Sequence, residues 1–306
     1  MSTIHIIIVT YNAMKWAERC FTSLRHSSVP VQCVVIDNGS TDGTQDYIKA
    51  HFPEIDFTQS AENLGFGKAN NLGIEKAYKE GADFFYLMNQ DAWIYPDTIH
   101  NMIKVYNDYP EKKEIGIISP VHTDGTEKKM DIFLDKYIAQ NCETTRLISD
   151  LYFQTLNPYY ELVFVNAAHW FIPKETIEIV GGFNPFFFHY GEDNEYVNRL
   201  HFHQKKILLV PGSKAVHDGK QFLDKIDYTK YKDLSIETKI LNPSDPNSLQ
   251  REKKALLQSI VKNFLTGNIE TSKKHYKSYK NINRNTPELV KLKEKITKER
   301  NCFLNI

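Results

Sequence analysis

The chain has 306 residues, 41% of them hydrophobic and 25% charged, a composition that excludes a disordered chain and provides for a sizeable buried core. Its 38 Lys+Arg cancel its 38 Asp+Glu, but the cancellation hides an asymmetry: from Gln221 onward 18 basic residues face 10 acidic ones, and residues 1–220 carry the matching acidic excess. A basic tail on an acidic body implies mutual attraction, lysines that simply solvate helix faces, or an anionic partner such as phospholipid or a lipid-linked diphosphate; no nucleic-acid partner is expected.

The first apolar run, Ile4 to Val9, is too short for a signal-peptide core or a bilayer span, so it reads as a buried first strand of a cytoplasmic protein. Further strands are expected at 32–36, 55–59, 83–88 and 115–119, with helices at 13–26, 42–51, 66–80 and 96–108 between them. Asp42 is placed to cap the second helix and Pro96 to open the fourth. Strands alternating with helices predict βαβ units and a mainly parallel sheet. Residues 121–160 lose the pattern and read as an insertion or flap. A strand at 162–166, helices at 173–180 and 192–204, and a strand at 206–210 follow. The tail from 221 reads as helices at 249–265, 269–280 and 286–300, broken by the loops LNPSDPNS and NINRNTP. Cys20, Cys33, Cys142 and Cys302 lie far apart with no C-x-x-C pairing, which predicts reduced thiols and no zinc ribbon. The expected organisation is an α/β domain over 1–220 and a helical extension over 221–306.

Chemistry concentrates at the carboxyl ends of the expected strands, where open α/β sheets bind ligands. Asp37-Asn38-Gly39-Ser40 follows strand two; its carboxylate can meet a base or ribose, although the same residues make a good turn by themselves. Asn89-Gln90-Asp91 ends an apolar strand, and one carboxylate there suffices for a hard cation bridging two phosphates. Glu192 and Asp193 open a helix behind the aromatic run PFFFHY, where desolvation would raise a carboxyl pKa and suit it to general-base work; acids in a first helical turn also simply complement the dipole. Glu195 and Arg199 fit an ion pair on the helix surface. His217, at a further strand edge, can ligate a manganese-like ion.

These motifs occur in one order over about residues 4–218: VTYN (9–12), DNGSTDGT (37–44), ENLGFGKANNLGI (62–74), NQD (89–91), VGGFNPFFFHYGEDNEYVNRL (180–200) and VPGSKAVH (210–217). The chain thereby resembles the family 2 glycosyltransferases of the GT-A fold, most closely their rhamnosyltransferase-like branch. The resemblance implies that Thr10 and Asn12 line the nucleotide cleft and that Asp37 reads the pyrimidine or its ribose. It implies that Asn63, Gly65 and Asn70 pack beside the donor and that Lys68 meets a phosphate. Asn89 and Asp91 stand at the two acid positions of the D-x-D motif, Asp91 holding Mg²⁺ or Mn²⁺ with His217, and Asp193 is the catalytic base with Glu192 or Glu195 as stand-ins. The implied reaction inverts the anomeric centre, moving a sugar from a nucleotide diphosphate donor to a glycan or lipid-linked acceptor. Asn166-Ala167-Ala168-His169-Trp170 departs from the family pattern, which would reshape the acceptor pocket through His169 and Trp170. The basic tail would hold the acceptor, touch the inner face of the membrane, or build a homodimer. Two other readings compete with this one. A nucleotidyltransferase would carry a Gly-rich basic loop after strand one, where this chain has VTYNAMKW. A binding module without chemistry would fit Asn89 and the altered 166–170 segment.

Overall fold

The computed structural model describes residues 2–140, 145–219 and 228–306, so Cys142 and the expected boundary at 220/221 lie outside the described residues. Strand β1 (Ile4–Thr10) sets the layers. Its side chains alternate with the period of two that a pleated strand imposes: Ile4, Ile6 and Ile8 join one core cluster, and Ile7 joins a second on the opposite face. Around it lie β2 (Gln32–Asp37), β3 (Asp56–Gln59), β4 (Phe84–Asn89), β5 (Ala92–Ile94), β6 (Ile115–Thr123), β7 (Tyr160–Leu162), β8 (His169–Pro173) and β9 (Lys206–His217), in the order β3-β2-β1-β4-β8-β6-β9-β5, with β7 also on β9. β1, β2, β3 and β4 pair in parallel and so do β6 and β9, while β8, β5 and β7 run against them. The expected mixed, mainly parallel α/β sheet is the one observed.

Helices α1 (Ala17–Arg25), α2 (Thr44–His51), α3 (Phe66–Lys79) and α4 (Thr98–Asp108) follow strands as the sequence pattern predicts. The residue capping α2 is Gly43, with Asp42 one step earlier accepting the Thr44 N–H at 3.1 Å, and Pro96 precedes α4 instead of entering it. Helices α5 (Ile132–Gln140) and α6 (Leu147–Tyr152) occupy the irregular stretch. The strand expected at 162–166 resolves into β7 and β8 on either side of it. That moves His169 and Trp170 into the centre of the sheet, both fully buried: Trp170 donates to the Val165 carbonyl at 3.2 Å, and His169 lies between Tyr86 and the Val216 carbonyl. They pack the core and do not reshape an acceptor pocket.

Helix α7 (Lys174–Val180) leads through Gly181-Gly182 and the aromatic run to α8 (Glu192–Phe202), and the tail adds α9 (Tyr228–Ile240), α10 (Ser248–Leu265) and α11 (Ile269–Lys298). The loop expected at NINRNTP is instead continuous helix through Pro287. An interior proline costs about 3 kcal/mol, yet Ile282, Leu289 and Ile296, seven residues apart, are buried in the tail core, and that packing outweighs the local penalty. Phe187 joins the same core, so the tail is bound to the segment that enters α8. Among the described residues no helix is long and apolar enough to cross a membrane.

Candidate functional site

Strand register brings three motifs together. Thr10 pairs with Asp37 and Val9 with Asn89, so the loops after β1, β2 and β4 leave the same sheet edge side by side. The first two loops are locked to one another. Asn12, at φ +53°, donates its N–H to Ser40 Oγ at 2.9 Å, and its side-chain oxygen accepts the Thr41 N–H at 2.9 Å. Gln90 bridges to the third loop, its side chain accepting the Tyr11 N–H at 2.7 Å and donating to the Tyr11 carbonyl at 3.2 Å.

Asp37 corrects the expectation drawn from the resemblance. It is fully buried, and its carboxylate accepts hydrogen bonds from Thr10 Oγ1, Ser40 Oγ, Gln45 Nε2 and the N–H groups of Gly39 and Ser40. Its acceptor capacity is spent on shaping the loop, which removes it from direct reading of a base. Asn70, expected beside the donor, is likewise buried and donates to the Phe66 carbonyl of its own helix at 3.0 Å. Asn63 is exposed and accepts the Gly65 N–H at 2.9 Å. Gly65 takes φ +80° where a Cβ would lie 2.3 Å from the Phe188 carbonyl oxygen, so only glycine lets this loop meet the aromatic run. Lys68 stands exposed in the first turn of α3, at the helix end whose N–H groups favour an anion.

Asn89, Asp91 and His217 do converge. His217 Nε2 lies 3.7 Å from Asp91 Oδ1 and 3.4 Å from Asn89 Nδ2. On the ring's other side Nδ1 lies 3.1 Å from Asp131 Oδ2, a fully buried carboxylate that fixes the ring and leaves Nε2 facing Asn89 and Asp91. Burial opposes charging of His217, but the Asp131 hydrogen bond and the nearby Asp91, Asp131 and Asp218 carboxylates raise its pKa. The Asn89 Oδ1 atom is buried without a hydrogen-bond partner. An orphaned amide oxygen on Asn89, whose nitrogen lies 3.4 Å from the His217 ring, together with the Asp91 carboxylate, is a donor set that fits a small divalent cation of the manganese type. Among the described residues no group of three or more His, Cys, Asp or Glu forms a metal cluster, so any cation here leans on Asn89, phosphate and water. Asp218 was missed in the sequence: its carboxylate accepts from Trp16 Nε1 at 2.7 Å and Lys15 Nζ at 3.2 Å, and its N–H donates to the Asp91 carbonyl at 2.8 Å, tying the loop after β1 to the acid site. Asp131 was missed as well, because it lies in a stretch without periodicity.

The second acidic pair opens α8 behind Gly191, which takes φ +96°. Glu192 is buried with Oε2 unpartnered; burial, then the Asp193 charge, raises its pKa to about 8. Asp193 is partly exposed and also raised by desolvation, against hydrogen bonds from the Asn194 N–H and side-chain amide. The aromatic run does not do this desolvating alone: Gly67 of α3 abuts Glu192, and the Phe187 ring, packed against Gly191, also joins the tail core. Glu195 and Arg199, expected on the helix surface, are 0% and 1% exposed. Arg199 donates to Glu195 and to the Val180 and Gly182 carbonyls, so the pair anchors α8 to the Gly-Gly turn and Glu195 is not free to act as base. Between α5 and the face of α8 that carries Asn194, Asn198 and His201 opens a hollow of ≈ 400 Å³, lined also by Lys136, Tyr137 and Gln140. Burial, then the charges of Asp193 and Asp131, pushes the Tyr137 phenol pKa up.

A mainly parallel sheet flanked by helices, with the loops after β1, β2 and β4 gathered at one edge, is the GT-A fold of glycosyltransferases. The family model "Glycosyl transferase family 2" matches residues 5–172. An N-acetylglucosaminyl-diphospho-decaprenol L-rhamnosyltransferase of Mycobacterium tuberculosis is 24% identical over 233 residues, covering 69% of this chain and 75% of that protein. The dTDP-rhamnosyl transferase RfbF of Shigella flexneri is 25% identical over 218 residues, covering 71% and 69%. Among solved structures, S. aureus TarS 1–349 superposes with a TM-score of 0.53 at 12% identity over 94% of this chain and 91% of that one, and its complex with UDP-GlcNAc gives 0.53 at 14% over 94% and 92%. The chain belongs to glycosyl transferase family 2, and within it is similar to rhamnosyltransferases.

Proposed function

We propose that the chain is an inverting, metal-dependent glycosyltransferase that moves a sugar from a nucleotide diphosphate donor to a hydroxyl acceptor in bacterial surface polysaccharide or glycan synthesis. The observation that carries this reading is the coexistence of two desolvated carboxyls opening α8 with the Asn89–Asp91–His217 donor set at the sheet edge. The names of its rhamnosyltransferase relatives support deoxythymidine diphosphate rhamnose as donor.

Glu192, with its pKa near 8, holds a proton at neutral pH and leaves the neighbouring Asp193 as the base. Asp193 takes the proton of the acceptor hydroxyl, whose oxygen bonds to the anomeric carbon as the bond to the nucleotide diphosphate breaks, the electron pair leaving with the diphosphate. Asn89, Asp91 and His217 would hold Mg²⁺ or Mn²⁺, which neutralises the departing charge. Asn12 in the loop after β1, Asn63 in the loop before α3 and Lys68 on α3, all exposed, border the donor, while Thr10, expected to line the cleft, is fully buried and supports that loop through Asp37. The hollow that reaches Asn194, next to Asp193 in the chain, offers amides and the ring of Tyr137 to a sugar acceptor, a glycan or the glycan head of a lipid-linked acceptor.

A thermal-shift screen of nucleotide sugars with and without Mn²⁺, followed by product assay with the donor that binds, tests the reading. The expected result is stabilisation by one donor that increases with the metal, and slow hydrolysis of that donor even without acceptor. Binding with no product over long incubation would leave a nucleotide-sugar-binding module instead.

A further inference from the structure

We infer that the turn joining α10 to α11 is a membrane-docking tip for an anionic bilayer. This goes beyond the transfer reaction and stands or falls without it. Leu257, Val261, Phe264 and Leu265 recur at helical spacing and form one stripe along α10. A stripe of this kind ordinarily faces a core, yet here it faces outward, with Phe264 64% and Leu265 77% exposed, while Leu256 alongside is buried among the tail helices. The apolar surface continues across the turn to Ile269 and Tyr276 of α11, both exposed. Contiguous exposed apolar surface of this size marks an interaction site.

Charge selects the occupant. Residues 253–280 hold seven lysines and one acid, Glu270, and Lys254, Lys262, Lys273, Lys274, Lys277 and Lys280 are exposed around the stripe. A second copy joined through the same face would set these lysines against their own kind, since a two-fold contact is self-complementary. A layer of anionic headgroups accepts them instead, with the lysine stems lying along the apolar side chains and the ammonium groups reaching outward as Phe264 and Leu265 enter the interface. The exposed side chains of α6 and the turn after it, Tyr152 and Phe153 among them, lie in a stretch, 137–173, whose sequence holds no lysine.

Sedimentation of the full chain with phosphatidylcholine vesicles, with and without about one third phosphatidylglycerol, tests the assignment. Binding to the anionic vesicles that weakens with added salt is expected. The double substitution Phe264→Asp with Leu265→Asp, which changes exposed side chains only, should lower that binding by roughly tenfold or more with an unchanged melting curve. Lys273→Glu with Lys274→Glu should remove most of the preference for anionic over neutral vesicles, whereas Tyr152→Asp with Phe153→Asp should leave it intact. Three results overturn the proposal: no binding to anionic vesicles, binding untouched by the Phe264 and Leu265 changes, or self-association that those changes abolish in a chain that ignores vesicles.

Discussion

The two acids that open α8 divide their work by solvation. Glu192 is enclosed and Asp193 reaches solvent, so they respond differently to substitution. Asp193→Asn should cut transfer by roughly 10²–10⁴-fold, the range for loss of a general base, while donor affinity measured by calorimetry changes little. Transfer at the wild-type rate would remove Asp193 from the base role. Glu192 writes itself into stability. Below its ordinary pKa of 4.5 it is protonated in both states and adds no slope; between 4.5 and about 8 the unfolded chain gives up the proton and the fold keeps it. Stability should therefore fall as pH rises through that window, by on the order of 1 kcal/mol per pH unit, and level off above it. Glu192→Gln should flatten that slope in urea titrations across the window; an equal slope in the variant counts against the buried, protonated carboxyl. Asp91, Asp193 and His217 stand out in the sequence because strand and helix ends announce them. Asp131 and Asp218 do not, since their meaning lies in partners 86 and 202 residues away.

Local pattern predicts the elements well where one face is buried and periodic. β1, β2, β4 and α3 fall within a residue of the expected bounds because their apolar spacing and their surroundings agree. The disagreements come where tertiary packing outvotes local chemistry, as in the unbroken α11 and in the replacement of the strand at 162–166 by β7 and β8. The Glu195–Arg199 spacing is that of an exposed helix pair, and nothing in the sequence distinguishes it from the buried clamp it forms. Burial reverses its energetics. An exposed pair contributes a few tenths of a kcal/mol, but Arg199→Ala would strand the Glu195 carboxylate and two carbonyls without their donor. We expect a loss of about 3–5 kcal/mol in urea unfolding. A loss below about 1 kcal/mol would mean that water reaches the pair.

At the scale of the whole molecule, residues 301–305 close back onto the turn that leads into α8. The Gly182 N–H donates to the Cys302 carbonyl at 2.9 Å, Asn71 Nδ2 donates to the Phe303 carbonyl at 3.2 Å, and the Asn305 N–H donates to Glu75 at 2.9 Å. Gly181, at φ +86°, leaves only 2.1 Å between a would-be Cβ and the Cys302 carbonyl oxygen, so only glycine lets the turn meet residues 301–302. Asn71 also grips the Phe183 backbone at both its N–H and its carbonyl, which passes the contact on to the aromatic run. The loops after β1 and β2, by contrast, hold themselves through Asp37, Asn12 and Ser40. Ending the chain at Arg300 should therefore separate the two halves of the site. Turnover should drop by roughly tenfold or more as α8 loses its register, because a catalytic group displaced by about 1 Å costs as much as 10²-fold, while the donor KM moves by less than about threefold. Steady-state kinetics of the truncated chain, run well below its melting midpoint, separate this outcome from general unfolding, which would reduce the active fraction and leave the turnover of the surviving enzyme unchanged. A truncated enzyme with full turnover and a raised donor KM would show that the last residues serve the donor side instead.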